Sequence, residues 1–253
     1  MRKLINVLIT FLLFQSLAYA GVEFDGGGTA DDVIDVGTDD IWTENGPITM
    51  SVWLFARTGG EGGIGRVLER ADNRFIINTT GSRVSWAVNG AADGEKTTAT
   101  NSWIFNQWHH LWVTWDGGTN FSNCHIYIDG VEPSYFSTTN QVTPTDNSGQ
   151  TLFIGNRSDG VRTFDGIIDE LYIWNSDLGP PPSTMYAGRV KRQGLNISPS
   201  TLVRYWALDE GVDGSKCETT GMFKNTAPNT IGSGNGTPSN SPTGRASRIL
   251  SYP

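Results

Sequence analysis

Cysteine is scarce in this sequence, with Cys124 and Cys217 the only two. That count excludes a four-thiolate zinc site and a dense disulfide framework. The pair could form one bridge or stay as thiols, and sequence alone does not decide between them. Histidine offers little more, because His109, His110 and His125 show no H-x-x-x-H spacing. Basic charge is also short: 18 Lys and Arg face 26 Asp and Glu, for a formal net charge of -8. Such a surface argues against nucleic acid or anionic lipid as a partner, since both need basic patches. Long helical periodicity is nearly missing, and the one long apolar run lies within the first twenty residues.

Those residues read as a secretory leader. Arg2 and Lys3 precede the apolar run LINVLITFLLFQSL, and Ala18-Tyr19-Ala20 is an A-x-A cleavage site. The expected mature chain starts at Gly21 and is secreted, periplasmic or held at the cell surface, with no membrane span. No Cys follows the cleavage site to carry a lipid.

What remains is rich in Gly, Asn, Thr and Ser, with short apolar runs between turn signals. The expected fold class is all-β, a two-sheet antiparallel sandwich. Strands are predicted at 33–36, 48–56, 66–69, 74–78, 83–89, 108–116, 124–129, 151–155 and 167–174. Asp129-Gly130, between HIYI and VEPSYF, predicts a tight hairpin. In ITMSVWLFA both faces of the strand carry apolar side chains, which predicts a sheet on one side and a covering loop layer on the other. Pro180-Pro181-Pro182 breaks the pattern. STMYAGRVKRQG then reads as a short helix, with Ser183 as N-cap and Gly194 as stop. The organisation expected is a leader over 1–20, a sandwich over 21–178, a helix and returning strand over 179–212, and an irregular tail over 213–253.

QWHHLWVTWDGG (107–118), HIYIDGV (125–131), LFIGN (152–156) and FDGIIDELYIWNSDL (164–178) stand in an order that resembles the concanavalin A-like laminin G/pentraxin jelly roll. The bacterial laminin G-like modules are the nearer match, because Trp112 stands where pentraxins have a cysteine. VEFDGGG (22–28) fits the usual first strand. The resemblance implies that Asp169 ties the last strand to the first near Asp25-Gly26, by backbone hydrogen bonds or through a shared calcium. It also implies a second calcium or ligand site at the rim, with Asp72 and Asn73 before one strand and Asp159 in the loop that follows LFIGN. Asn156 opens that loop.

Alternation places Asp169 and Glu170 on opposite faces of one strand, which would prevent them from acting as a carboxylate pair. From Glu23 to Glu44 there are acidic residues and no basic one; a divalent cation would ease that repulsion, and a solvated acidic surface explains it equally. Of nine tryptophans, Trp42, Trp86 and Trp103 are the candidate exposed platforms for stacking on sugar rings. No E-x-D-x-x-E strand, G-x-S-x-G, H-E-x-x-H or phosphate loop is present. The expectation is a non-catalytic, lectin-like module, calcium-assisted or not, that recognises extracellular polysaccharide or glycoconjugate. An adhesion or scaffold protein that binds another surface protein is the alternative. A glycan-active hydrolase or lyase ranks below both.

Overall fold

The computed structural model describes residues 21–27, 32–38, 46–71, 73–78, 81–147, 149–188, 192–209, 227, 237–239 and 243–245. Its strands are β1 (Gly21–Asp25), β2 (Val33–Thr38), β3 (Ile48–Ala56), β4 (Ile64–Arg70), β5 (Asn73–Asn78), β6 (Arg83–Val88), β7 (Gly90–Ala92), β8 (Gly94–Thr98), β9 (Trp108–Trp115), β10 (Cys124–Ile128), β11 (Tyr135–Thr139), β12 (Val142–Pro144), β13 (Thr151–Ile154), β14 (Asp165–Trp174), β15 (Leu202–Trp206), β16 (Thr237–Ser239) and β17 (Thr243–Arg245), with one helical turn, α1 (Ser183–Tyr186). One sheet runs β10-β9-β3-β14-β1-β17, with β15 also paired to β14; the other runs β11-β8-β6-β5-β4-β13-β2-β16. All pairings are antiparallel, and β12 and β7 form a separate small ladder. No helix among the described residues is long and apolar enough to cross a membrane.

Alternation along β3 explains how the layers stack. Ile48, Met50, Val52 and Leu54 join the main core, with Val113 and Ile168 from the same sheet and Leu68, Trp86 and Ile154 from the other. β3 meets β9 from Ile48↔Trp115 to Phe55↔Trp108 without a register shift. The opposite side of β3 carries polar ties: Thr49 Oγ1 lies 3.1 Å from Thr114 Oγ1, and Ser51 Oγ lies 2.8 Å from His110 Nε2. A second, smaller core covers that side. Trp112, Tyr127, Tyr172, Trp174 and Tyr205 pack there with Met185, Leu202 and Ala227. The Trp112 indole donates to Gly179 O at 2.8 Å, so the tryptophan that replaces a pentraxin cysteine holds the chain after β14.

Three local expectations change. Asp129-Gly130 does make a tight turn, with Ile128 and Val131 exchanging backbone bonds of 2.9 and 3.0 Å. The ladder stops at that single bridge, because β11 leaves to pair with β8 in the other sheet. The expected helix is only one turn, with Pro182 as N-cap and no side-chain cap; Gly194 lies in a separate 3-10 turn, Gln193–Asn196. The expected irregular tail contributes β16 and β17, which cover β2 and β1. Cys124 is a buried free thiol in the main core, and Cys217 falls outside the described residues.

Candidate ligand-binding face

The outward face of the eight-stranded sheet follows from the inward one. Val84, Trp86 and Val88 of β6 enter the main core, so Ser85 and Ala87 lie on the outer side of the sheet, where both are nonetheless buried. The register then sets a row across six strands: Asp35, Phe153, Glu69, Arg74, Ala87 and Glu95. A neighbouring row holds Arg66, Ser85 and Thr97. A register shift at Val67 lets both Val67 and Leu68 enter the core, so Arg66 and Glu69 share the outer side.

These side chains bond to one another. Arg66 Nε donates to Glu69 Oε2 at 2.6 Å, with both side chains nearly buried. Arg74 reaches Asp93 at 3.0 Å and Glu95 at 3.4 Å, and these three are more exposed. Ser85 and Thr97 hydroxyls lie 2.8 Å apart, and Thr97 donates to Glu95 Oε1 at 2.8 Å. Burial pushes the Arg66 guanidinium below its usual range; Glu69 pushes it back up, and the charges of Arg74 and Arg157 push it down. That coupling to Arg157 links the sheet face to the loop after β13. Half-buried Phe153 stands in the same row, next to Asp35 and Glu69. The result is a band of paired guanidinium and carboxylate groups, buried at Arg66 and Glu69 and partly exposed at Arg74, Asp93 and Glu95, with half-buried Phe153 beside Glu69.

Loop 155–164 forms the rim of the band. Gly26 N donates to Phe164 O at 3.0 Å, Phe164 N to Gly155 O at 2.8 Å, and Arg66 N to Arg162 O at 2.8 Å. Glycine is required at 166, where φ is +150 and a Cβ would meet Phe55 O at 1.9 Å. Asn156 is fully buried at the root of the loop. Its amide nitrogen donates to Thr163 Oγ1 at 2.7 Å and Asp32 O at 3.2 Å; its amide oxygen accepts from Arg157 N at 2.8 Å and Arg162 N at 3.0 Å. It shapes the rim from below and presents nothing to a ligand. Exposed Asp159 pairs with Arg157 at 2.7 Å.

Of the other expected site residues, Asp25 and Asp169 do not converge. Asp25 lies across from Asp165, whereas Asp169 lies four residues along β14, about 13 Å away. The acid beside the first strand's end is therefore Asp165, which accepts from Thr58 at 2.7 Å and from Arg57 at 3.3 Å. Alternation puts Asp165 and Asp169 on one face but does not say which of them meets Asp25. Asn73 pairs with Arg70 at the end of β4 away from Arg66 and loop 155–164, about 14 Å from Asp159's side of the sheet. Asp72 and Trp42 lie outside the described residues. Asp25 and Asp169 do not come together, and among the described residues no group of three or more His, Cys, Asp or Glu is placed to hold a metal.

Trp86 and Trp103 are core residues with at most 2% exposure, so they offer no face to a sugar. Asp169 and Glu170 do not alternate either. Ile168 and Leu171 both enter the main core, and the register shifts between Asp169 and Tyr172 where Glu170 takes φ +53. This bulge puts both acids on the outer side of the sheet, under the second core. Glu170 accepts from the Tyr172 hydroxyl, from the Tyr205 hydroxyl at 2.8 Å and from Arg192 N at 2.6 Å. Burial and the nearby Glu170 charge hold both phenols well above their usual range. Both acids are at most 1% exposed, so no open cleft carries them.

A family model of laminin G type, described as the concanavalin A-like lectin/glucanases superfamily, matches residues 26–181. The chain belongs to that superfamily. No curated protein matches the chain. Among solved structures, this laminin G-type chain is similar to a candidate carbohydrate binding protein from Bacteroides ovatus, at 17% identity and a TM-score of 0.51. The match covers 93% of this chain and 62% of that one, so the chain spans less than two thirds of that protein. It is also similar to domains LG4-5 of the mouse laminin α1 chain, at 16% identity, 62% and 41% coverage and a TM-score of 0.43. A third similar structure is the Ruminococcus gnavus IT-sialidase CBM40 bound to α2,3-sialyllactose, at 12% identity, 64% and 92% coverage and a TM-score of 0.44. At these identities the likeness is one of fold. β15, β16 and β17 lie beyond the stretch that the family model matches.

Proposed function

We propose that this chain is a secreted, non-catalytic carbohydrate-recognition module that lays a neutral, hydroxyl-rich glycan across the charged band. One observation carries the reading: the Arg74 guanidinium stands partly exposed between the Asp93 and Glu95 carboxylates, and half-buried Phe153 lies in the same cross-strand row as Arg74 and Glu95. Vicinal hydroxyls both donate and accept, so they can bond to groups of either sign, while a ring face packs on the aromatic. A formal charge of -8 works against a polyanionic ligand. The Bacteroides ovatus protein, named as a candidate carbohydrate binder, is in keeping with this reading. Secretion rests on the leader pattern of residues 1–20. The separation of Asp25 from Asp169 along β14 supports a binding mode without a metal shared between them.

A glycan array with and without chelator tests the proposal. Binding to a neutral polysaccharide should survive chelation and be lost in Arg74→Ala. No binding under either condition would turn the assignment toward adhesion to a protein. Binding abolished by chelator would contradict the metal-free part.

A further inference from the structure

Gly21 opens β1 in a buried position, between Asp169 of β14 and Arg245 of β17. Its φ is +130, and a Cβ built there would lie 2.7 Å from Ile168 O and 3.2 Å from Asp169 Cβ. Only glycine fits. The Gly21 nitrogen is bonded to the same Cα, so it lies within about 6 Å of Asp169 Cβ, and the carboxylate oxygens extend from that atom. Asp169 itself is fully buried. The sequence also places the leader cleavage site directly before Gly21.

We propose that leader removal completes the fold by delivering the α-ammonium of Gly21 to the Asp169 carboxylate. Hydrolysis of the Ala20–Gly21 peptide bond by a leader peptidase consumes one water. The carboxylate stays on Ala20, and the new amine stays on Gly21. An α-amine has an ordinary pKa of about 7.7, so at neutral pH it is mostly a cation. Before cleavage the same nitrogen, at a buried position, is an uncharged amide. After cleavage a positive charge sits beside a buried negative one, where the low dielectric makes the attraction strong. The uncleaved precursor is thus the less stable form, and export and folding are coupled at one residue.

Four proteins test this: chains that begin at Gly21 or at Ala20, each with Asp169 or with Asp169→Asn, compared by urea unfolding. At pH 6 the extra Ala20 should lower the folded-to-unfolded ratio about tenfold or more when Asp169 is present. In Asp169→Asn it should cost much less, because the two changes remove one interaction. An ion pair raises the pKa of the amine in the folded state. The advantage of the Gly21 start is therefore full below about pH 7.7 and should shrink by pH 9.5. Equal stability of the two starts would overturn the proposal, as would a penalty for Ala20 that is unchanged by Asp169→Asn. If Asp169→Asn does not fold, the pH comparison of the two Asp169 proteins decides, and an advantage that stays constant to pH 9.5 overturns it.

Discussion

Asn156 engages both ends of its amide inside the fold, holding Thr163 and Asp32 with one and the backbone of Arg157 and Arg162 with the other. Asn156→Ala would leave several buried groups unpaired. It should cost about 3 kcal/mol of stability in urea unfolding. Phe153 is the opposite case, half-buried and facing out. Phe153→Ala should leave the thermal midpoint nearly unchanged and weaken glycan binding about tenfold by titration calorimetry. His110 gives a pH dependence. Its ring is buried against Ser51, Trp53 and Trp112, and burial pushes its pKa down to about 3, against a small opposing effect of Asp129. The unfolded chain binds this proton near pH 6.5 and the folded chain does not until about pH 3. Stability should therefore fall as pH drops through that window, by about 1.4 kcal/mol per unit from this group. His110→Gln should show a shallower loss than the wild type in urea unfolding from pH 6.5 to 4. Equal slopes would mean that the ring is not buried as a neutral group.

Among the elements, most strands could be read from composition and alternation. β3 matches its expected bounds, and β9, β10 and β13 lose one residue each at the end. Alternation in RVSWAV also sets Trp86 beside Val84 and Val88, so the burial of that tryptophan is legible in the sequence. Register was not legible. It decides that Asp165 rather than Asp169 meets Asp25, and it aligns Glu69, Arg74 and Glu95 into one row. The bulge at Glu170 was hidden for a related reason: nothing in FDGIIDELYIW marks the residue that breaks the alternation. β16 and β17 were missed because three-residue strands gain their pairing from the edges they meet, not from their own propensity. They cover the open edges of β2 and β1. Ending the chain after residue 236 should uncover both edges and drive self-association, visible by light scattering. A monomer as stable as the full chain would show that these strands are dispensable.

At the scale of the whole molecule, the two outer sides of the sandwich differ in chemistry. The outer side of the seven-stranded sheet is sealed by Trp112, Trp174, Tyr172 and the chain after β14. The outer side of the eight-stranded sheet carries a polar row, buried at Glu69 and partly exposed at Arg74 and Glu95, with a rim braced by loop 155–164. The two-layer core positions that row, so the proposed binding should need little rearrangement. The direct test is to titrate the array-selected glycan into isotope-labelled protein and to map which backbone amides shift. The account predicts shifts centred on Glu69, Arg74, Glu95, Phe153 and Arg157. Shifts centred instead on the sealed face, around Trp112 and Tyr205, with the charged row silent, would contradict it.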